Sequence, residues 1–186
     1  MKKLFLLSVI ALGLASTPAS AVTIMNSHLH ITQEDVEKAQ EKWGDALVGI
    51  SAAFNEGGIE SATEKAENAI DTLYGYDIGG VLFKPTLTQA PQTFRNTREG
   101  ALAYFVGNNP NFANDNGFAI LGWTSVKFDN SGMFLNGNTA KVMGNVTLTN
   151  ADGSETTVDK TMVFKKIGEE NLKIVLHHSS LPYSAE

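Results

Sequence analysis

Residues 136–153 read NGNTAKVMGNVTLTNADG, and the fold turns on this stretch. Ala140, Val142, Val146 and Leu148 alternate with Thr139, Lys141, Asn145 and Thr147. That period of two puts one apolar row on one face of a strand. Asn136-Gly137 and Asp152-Gly153 flank the strand with tight-turn signals, because glycine supplies the positive φ such turns need. The strand should therefore form a hairpin with each neighbour. Upstream, Phe118 to Phe128 is rich in β-formers; downstream, Thr156 to Lys166 and Leu172 to His178 supply two more strands.

Further upstream the period changes to that of a helix. Thr32 is a capping residue with Glu34 and Asp35 in the first turn, where the helix dipole favours negative charge. Val36, Ala39, Trp43, Leu47, Ile50 and Phe54 then recur every three or four residues, a single apolar stripe that Gly57-Gly58 should stop. Ala62, Ala66, Ala69 and Leu73 predict a second helix ending near Gly75, whose small residues suit close packing. Val81-Leu82-Phe83 before Pro85 reads as a short buried strand. Asn96 to Val106 reads as a third helix, capped by Asn96 or Thr97 and stopped by Gly107. Helices first, then an antiparallel meander, mean an α+β fold. The expected form is a cone-shaped, curved antiparallel sheet wrapped around N-terminal helices, with a ligand pocket at its wide end.

The first residues predict export. Lys2 and Lys3, the apolar run Leu4 to Leu14 and the small-x-small Ala19-Ser20-Ala21 form a signal peptide cleaved after Ala21. The apolar run is about half of the roughly 20 residues that span a bilayer. The expected organisation is a leader at 1–21, an N-terminal arm at 22–31 and one domain at 32–186, in the periplasm or secreted. Removing Lys2 and Lys3 leaves 12 basic against 20 acidic residues, a net charge of −8. That balance argues against nucleic acid or, after cleavage, a membrane as partner. The chain has no cysteine, which excludes zinc–thiolate sites and cysteine nucleophiles and leaves stability to the core.

Chemistry must come from a short inventory. The four histidines are His28, His30, His177 and His178. His28-x-His30 with one of the C-terminal pair could make a three-histidine zinc site. In residues 173–183, KIVLHHSSLPY, alternation sets His177 and Ser179 on one face and His178 and Ser180 on the other. Neighbouring histidines on opposite faces are poorly placed to share a metal. Ser179 beside a histidine lacks the G-x-S-x-G elbow of a hydrolase, and no glycine-rich phosphate loop is present.

Five segments occur in an informative order: VLFKPT at 81–86, EGALAYFVG at 99–107, GFAI at 117–120, MGN at 143–145 and LHHSSLPY at 176–183. Together they resemble the iota-class carbonic anhydrases, related to the calcium/calmodulin-dependent kinase association domain and the nuclear transport factor two-like superfamily. The similarity runs from about Ile78 to Tyr183. It implies a cone-shaped fold, a homodimer, and reversible hydration of carbon dioxide to bicarbonate in an apolar pocket. By motif, the family's bicarbonate-holding threonine, tyrosine and serine fall on Thr86, Tyr104 and Ser179, with His177, His178 and Ser180 in support. No cofactor is expected; zinc or manganese, proposed for some members, would fall to His177 and His178. The sequence departs from the family in lacking tyrosines in 146–149 and 161–164, and in reading Arg95-Asn96-Thr97 without a proline. Two rival readings are a non-catalytic ligand-binding or oligomerisation module of the same fold, and an isomerase or cyclase with a buried carboxylate.

Overall fold

The computed structural model of the chain describes residues 29–184; the expected leader, and the arm as far as residue 28, lie outside the described residues. Helix α1 (Gln33–Leu73) is followed by β1 (Leu82–Lys84) and α2 (Arg98–Val106). The meander comprises β2 (Trp123–Asn136), β3 (Thr139–Asn150), β4 (Glu155–Lys166) and β5 (Leu172–Ser180). The five strands pair in the order β1-β5-β4-β3-β2. All neighbours are antiparallel except β1, which joins β5 in parallel.

The sheet's inner face is the apolar row that the alternation predicts. Ala140, Val142, Val146 and Leu148 are buried, as are Val158, Met162 and Phe164 of β4. They form one core with Val36, Trp43, Leu47, Ile50, Ala62, Ala66 and Ile70 of α1. Each fully buried Val, Leu, Ile or Met side chain contributes about 1.5–3 kcal/mol. A capping box starts α1: the Thr32 hydroxyl accepts from the Asp35 N–H at 3.1 Å, and the Asp35 carboxylate accepts from the Thr32 N–H at 2.9 Å.

One local expectation is borne out and one is corrected. Gly57-Gly58 separates two helical segments as expected: α1 is kinked there, with Gly58 at φ 68° and ψ −158°, outside helical geometry. A glycine takes that conformation without steric penalty, so one residue interrupts the helical path and redirects the apolar stripe. The β-rich stretch from Phe118 opens not as strand but as a 3₁₀ turn, Phe118–Ile120, bracketed by Gly117 and Gly122, both at φ 84°. The strand begins at Trp123.

Gly144 in β3 faces a bulge in β2 between Asn130 and Gly132. A Cβ there would lie 2.2 Å from the Asp129 carbonyl oxygen, so the MGN glycine is what lets the two backbones approach.

Candidate active site

The parallel pairing of β1 and β5 brings the K-P-T segment to H-H-S-S: Phe83 pairs with His177 and Lys84 with His178. Pro85 ends the strand, and Thr86 turns in to donate its hydroxyl to Ser179 Oγ at 2.8 Å. Ser179 is 2% exposed. Lys84 Nζ fixes the adjacent backbone by donating to the Ser179 carbonyl at 3.0 Å.

Tyr104 arrives from α2. Its ring stacks on Phe118, centroids 5.3 Å apart, and stands edge-on to Phe83 at 5.8 Å. Its hydroxyl is buried with no hydrogen-bond partner. Burial holds the phenol well above its ordinary range, against the opposing pull of the Leu87 N–H and of the Thr86 hydroxyl and N–H, none of which reaches hydrogen-bond geometry. An orphaned buried hydroxyl costs about 1–3 kcal/mol, which marks it as reserved for something else.

Residues 95–97 position this cluster in place of the family's proline-containing segment. Arg95 N–H donates to the Phe83 carbonyl at 2.8 Å, and Asn96 Oδ1 accepts from the Phe83 N–H at 3.2 Å. Thr97 then caps α2 by accepting from the Gly100 N–H at 3.1 Å. One tripeptide thus staples β1 and starts the helix that carries Tyr104. The Arg95 side chain, 2% exposed, makes a bidentate pair with Asp115 at 2.8 and 2.7 Å.

His177 lies on the inner face but reaches past the hydroxyl cluster. Its Nδ1 is 2.9 Å from Tyr74 Oη and its Nε2 3.1 Å from Lys160 Nζ. Its ring stacks on Phe83 at 4.7 Å. Trp43 Nε1 donates to the same Tyr74 oxygen at 2.9 Å. Burial, followed by the charges of Lys160 and His178, keeps the His177 imidazole well below its ordinary pKa.

The predicted site residues therefore divide. Thr86, Ser179, Tyr104 and His177 gather on the inner side. His178 is exposed and Ser180 half-buried; both line an outer groove of ≈ 450 Å³ with Asp159 and Met143. The pairing of His177 and His178 on one metal is corrected: they face opposite sides of β5, and both His177 nitrogens are already engaged. Among the described residues no three metal-ligating side chains converge; His28 lies outside them. Asp115, the buried carboxylate among the described residues, is held by Arg95, so no acid stands free for an isomerase.

Sequence reasoning missed Lys160. Its signal was parity: it falls between Val158 and Met162 on β4, so the alternation that buries those two buries a lysine as well.

A family model of metal-independent carbonic anhydrases matches residues 34–181. The chain belongs to the metal-independent carbonic anhydrases. It is 52% identical over 153 residues to a metal-independent carbonic anhydrase of Nostoc sp., covering 82% of this chain and 75% of that one. It is also similar to the crystal structure of a cyanobacterial iota-carbonic anhydrase complexed with bicarbonate, with TM-score 0.84 and 49% identity over 88% of this chain and all of the other. As a metal-independent carbonic anhydrase the chain is an enzyme of carbon dioxide hydration, built on an α+β scaffold of helix and curved five-stranded sheet.

Proposed function

We propose that hydration and its reverse take place at the cluster of Thr86, Ser179 and Tyr104, without a resident metal. The observation that carries this is the partnerless Tyr104 hydroxyl beside the Thr86–Ser179 hydrogen bond. Ser179 accepts from Thr86, which leaves its own proton free to donate; Tyr104 can both donate and accept. Bicarbonate needs donors for its oxygens and an acceptor for its proton, and the two hydroxyls offer both. Carbon dioxide is apolar and suits the aromatic rings of Phe83 and Phe118 against Tyr104. As water attacks, the oxygens of carbon dioxide gain charge, and fixed hydroxyl dipoles in a dry setting stabilise them without reorganising.

The test is stopped-flow hydration by the chain from Val22 onward, purified in chelator. Wild type should exceed the buffer rate, and Tyr104→Phe should lose about ten- to a hundred-fold in kcat/KM while folding normally, since it removes one oxygen that bonds nothing in the protein. Full activity in Tyr104→Phe would move the site elsewhere.

The same reading includes export and self-association. Cleavage after Ala21 would place the enzyme in the periplasm or outside the cell, supported by the charged, apolar and small-residue pattern of residues 1–21. The mass of the protein recovered from the periplasmic fraction tests it. A homodimer through the outer sheet face is supported by exposed Phe134 and Met143, 61% and 62% accessible. Sedimentation of the purified chain as a monomer would remove that proposal.

A further inference from the structure

Hydration releases one proton for each bicarbonate formed, and Thr86, Ser179 and Tyr104 cannot retain it through repeated turnover. Lys160 answers this need by position. It is 7% exposed on the inner face of β4 and stands directly opposite Ser179 in the β4–β5 register. Directly opposed side chains have Cβ atoms about 4.5–5.5 Å apart. Its amine meets His177 Nε2 at 3.1 Å and lies 3.9 Å from the centre of the Trp43 ring. Its far side borders a small cavity of ≈ 10 Å³, shared with Gln40 and Asn130. That is room for about one water, and amide side chains are there to hold it. Gln40 and Asn130 exchange two hydrogen bonds of 2.8 Å beside it.

We propose that Lys160 is the proton-transfer residue of this enzyme, taking the proton released beside Ser179 and passing it to water in the cavity bounded by Gln40 and Asn130. The proposal rests on the assignment of hydration to the Thr86–Ser179–Tyr104 cluster.

The balance is simple. Carbon dioxide and water form one new C–O bond and yield bicarbonate and a proton. The lone pair on Nζ takes that proton, making an ammonium that the Trp43 ring face stabilises. The ammonium then gives the proton to the cavity water and onward to buffer, and the neutral amine returns. His177 can suit the neutral stage: Tyr74, which accepts from Trp43, has its own proton to give to Nδ1, and the tautomer with the proton on Nε2 then faces the amine lone pair. Burial pulls the Lys160 amine down to about 7, so both forms are populated at neutral pH. An ordinary lysine would stay charged. The groups facing it are His177 and Ser179 from β5, Trp43 and Gln40 from α1 and Asn130 from β2; His177 alone of these titrates.

The experiment is stopped-flow hydration by Lys160→Met and Lys160→Gln beside wild type and Ser179→Ala, in dilute and concentrated imidazole buffer. In dilute buffer kcat should fall about ten- to a hundred-fold, with kcat/KM within about two-fold of wild type. Concentrated imidazole should restore kcat, and the rise of wild-type kcat through about pH 7 should be lost. Equal falls in kcat and kcat/KM without rescue would make Lys160 a residue that shapes the site, and the proposal fails. Wild-type kcat in both variants also overturns it, while an inactive Ser179→Ala would keep the hydroxyl site intact. If wild type and Ser179→Ala hydrate equally, the site reading itself has failed. A measurement on unaltered protein guards against misfolded variants: the Lys160 side-chain NMR signal should titrate near neutrality, and an ordinary lysine midpoint would end the proposal.

Discussion

Ser179→Ala should abolish most of the hydration activity, lowering kcat/KM about 10²–10³-fold, the usual loss when one donor to a developing oxyanion is removed. The geometry makes this more than the loss of one contact. Ser179 is the acceptor that fixes the Thr86 hydroxyl at 2.8 Å, so the alanine variant both deletes one donor and frees another to rotate. Stability should change by only about 1 kcal/mol, because Thr86 is half-buried and its hydroxyl can turn to water. A melting temperature within about 4 °C of wild type with activity near the buffer rate is therefore the expected pair of results. Thr86→Val keeps the shape and removes the bond from the other side, and it should lose less. Activity within about three-fold of wild type in Ser179→Ala would remove the serine from the mechanism.

The second large effect is on stability. Asp115→Ala should cost about 3–5 kcal/mol, because it leaves the Arg95 guanidinium buried without its counter-charge. Arg95 retains the carbonyls of Gln92 and Phe94 and the ring of Phe112, 4.8 Å from its guanidinium carbon, but none of these carries a negative charge. Against a total of about 5–15 kcal/mol this is a large fraction, and the melting temperature should fall by roughly 10 °C. Activity should fall as well, since the Arg95 backbone staples Phe83 and the next two residues start the helix bearing Tyr104. A double replacement, Arg95→Met with Asp115→Leu, should recover much of the loss, because it removes both charges together. Melting of Asp115→Ala within about 2 °C of wild type would show that the pair is dispensable.

Much of the fold could be read from local chemistry. The two glycine turns at Gly137 and Gly153, the Thr32 and Thr97 caps and the alternation in β3 and β4 are signals confined to a few residues. Each appears where expected. Two features were not legible because they depend on distant partners. The Val81–Phe83 stretch announced a strand but not its neighbour; the parallel pairing with β5 joins residues more than ninety apart. Within the site, motif order named Thr86, Tyr104 and Ser179, and the structure brings them to the same inner face. The Tyr74–His177–Lys160 chain links positions 103 and 17 residues apart, and only the unusual parity of Lys160 hinted at it.

The staple on Phe83 also governs how this sheet meets other chains. A β-sheet with unpaired N–H and C=O groups along a border is a template for adding foreign strands, which leads to aggregation. On the β1 border, the Phe83 N–H and carbonyl are both taken, by the Asn96 side chain and the Arg95 N–H, so an intruding strand finds no free pair there. On the opposite border, β2 is long but interrupted by its bulge and carries Lys127 and Asp129. Both borders are thereby blunted, one by internal bonding and one by irregularity and charge. Crowded copies of this chain should then meet across their faces rather than by growing a shared sheet.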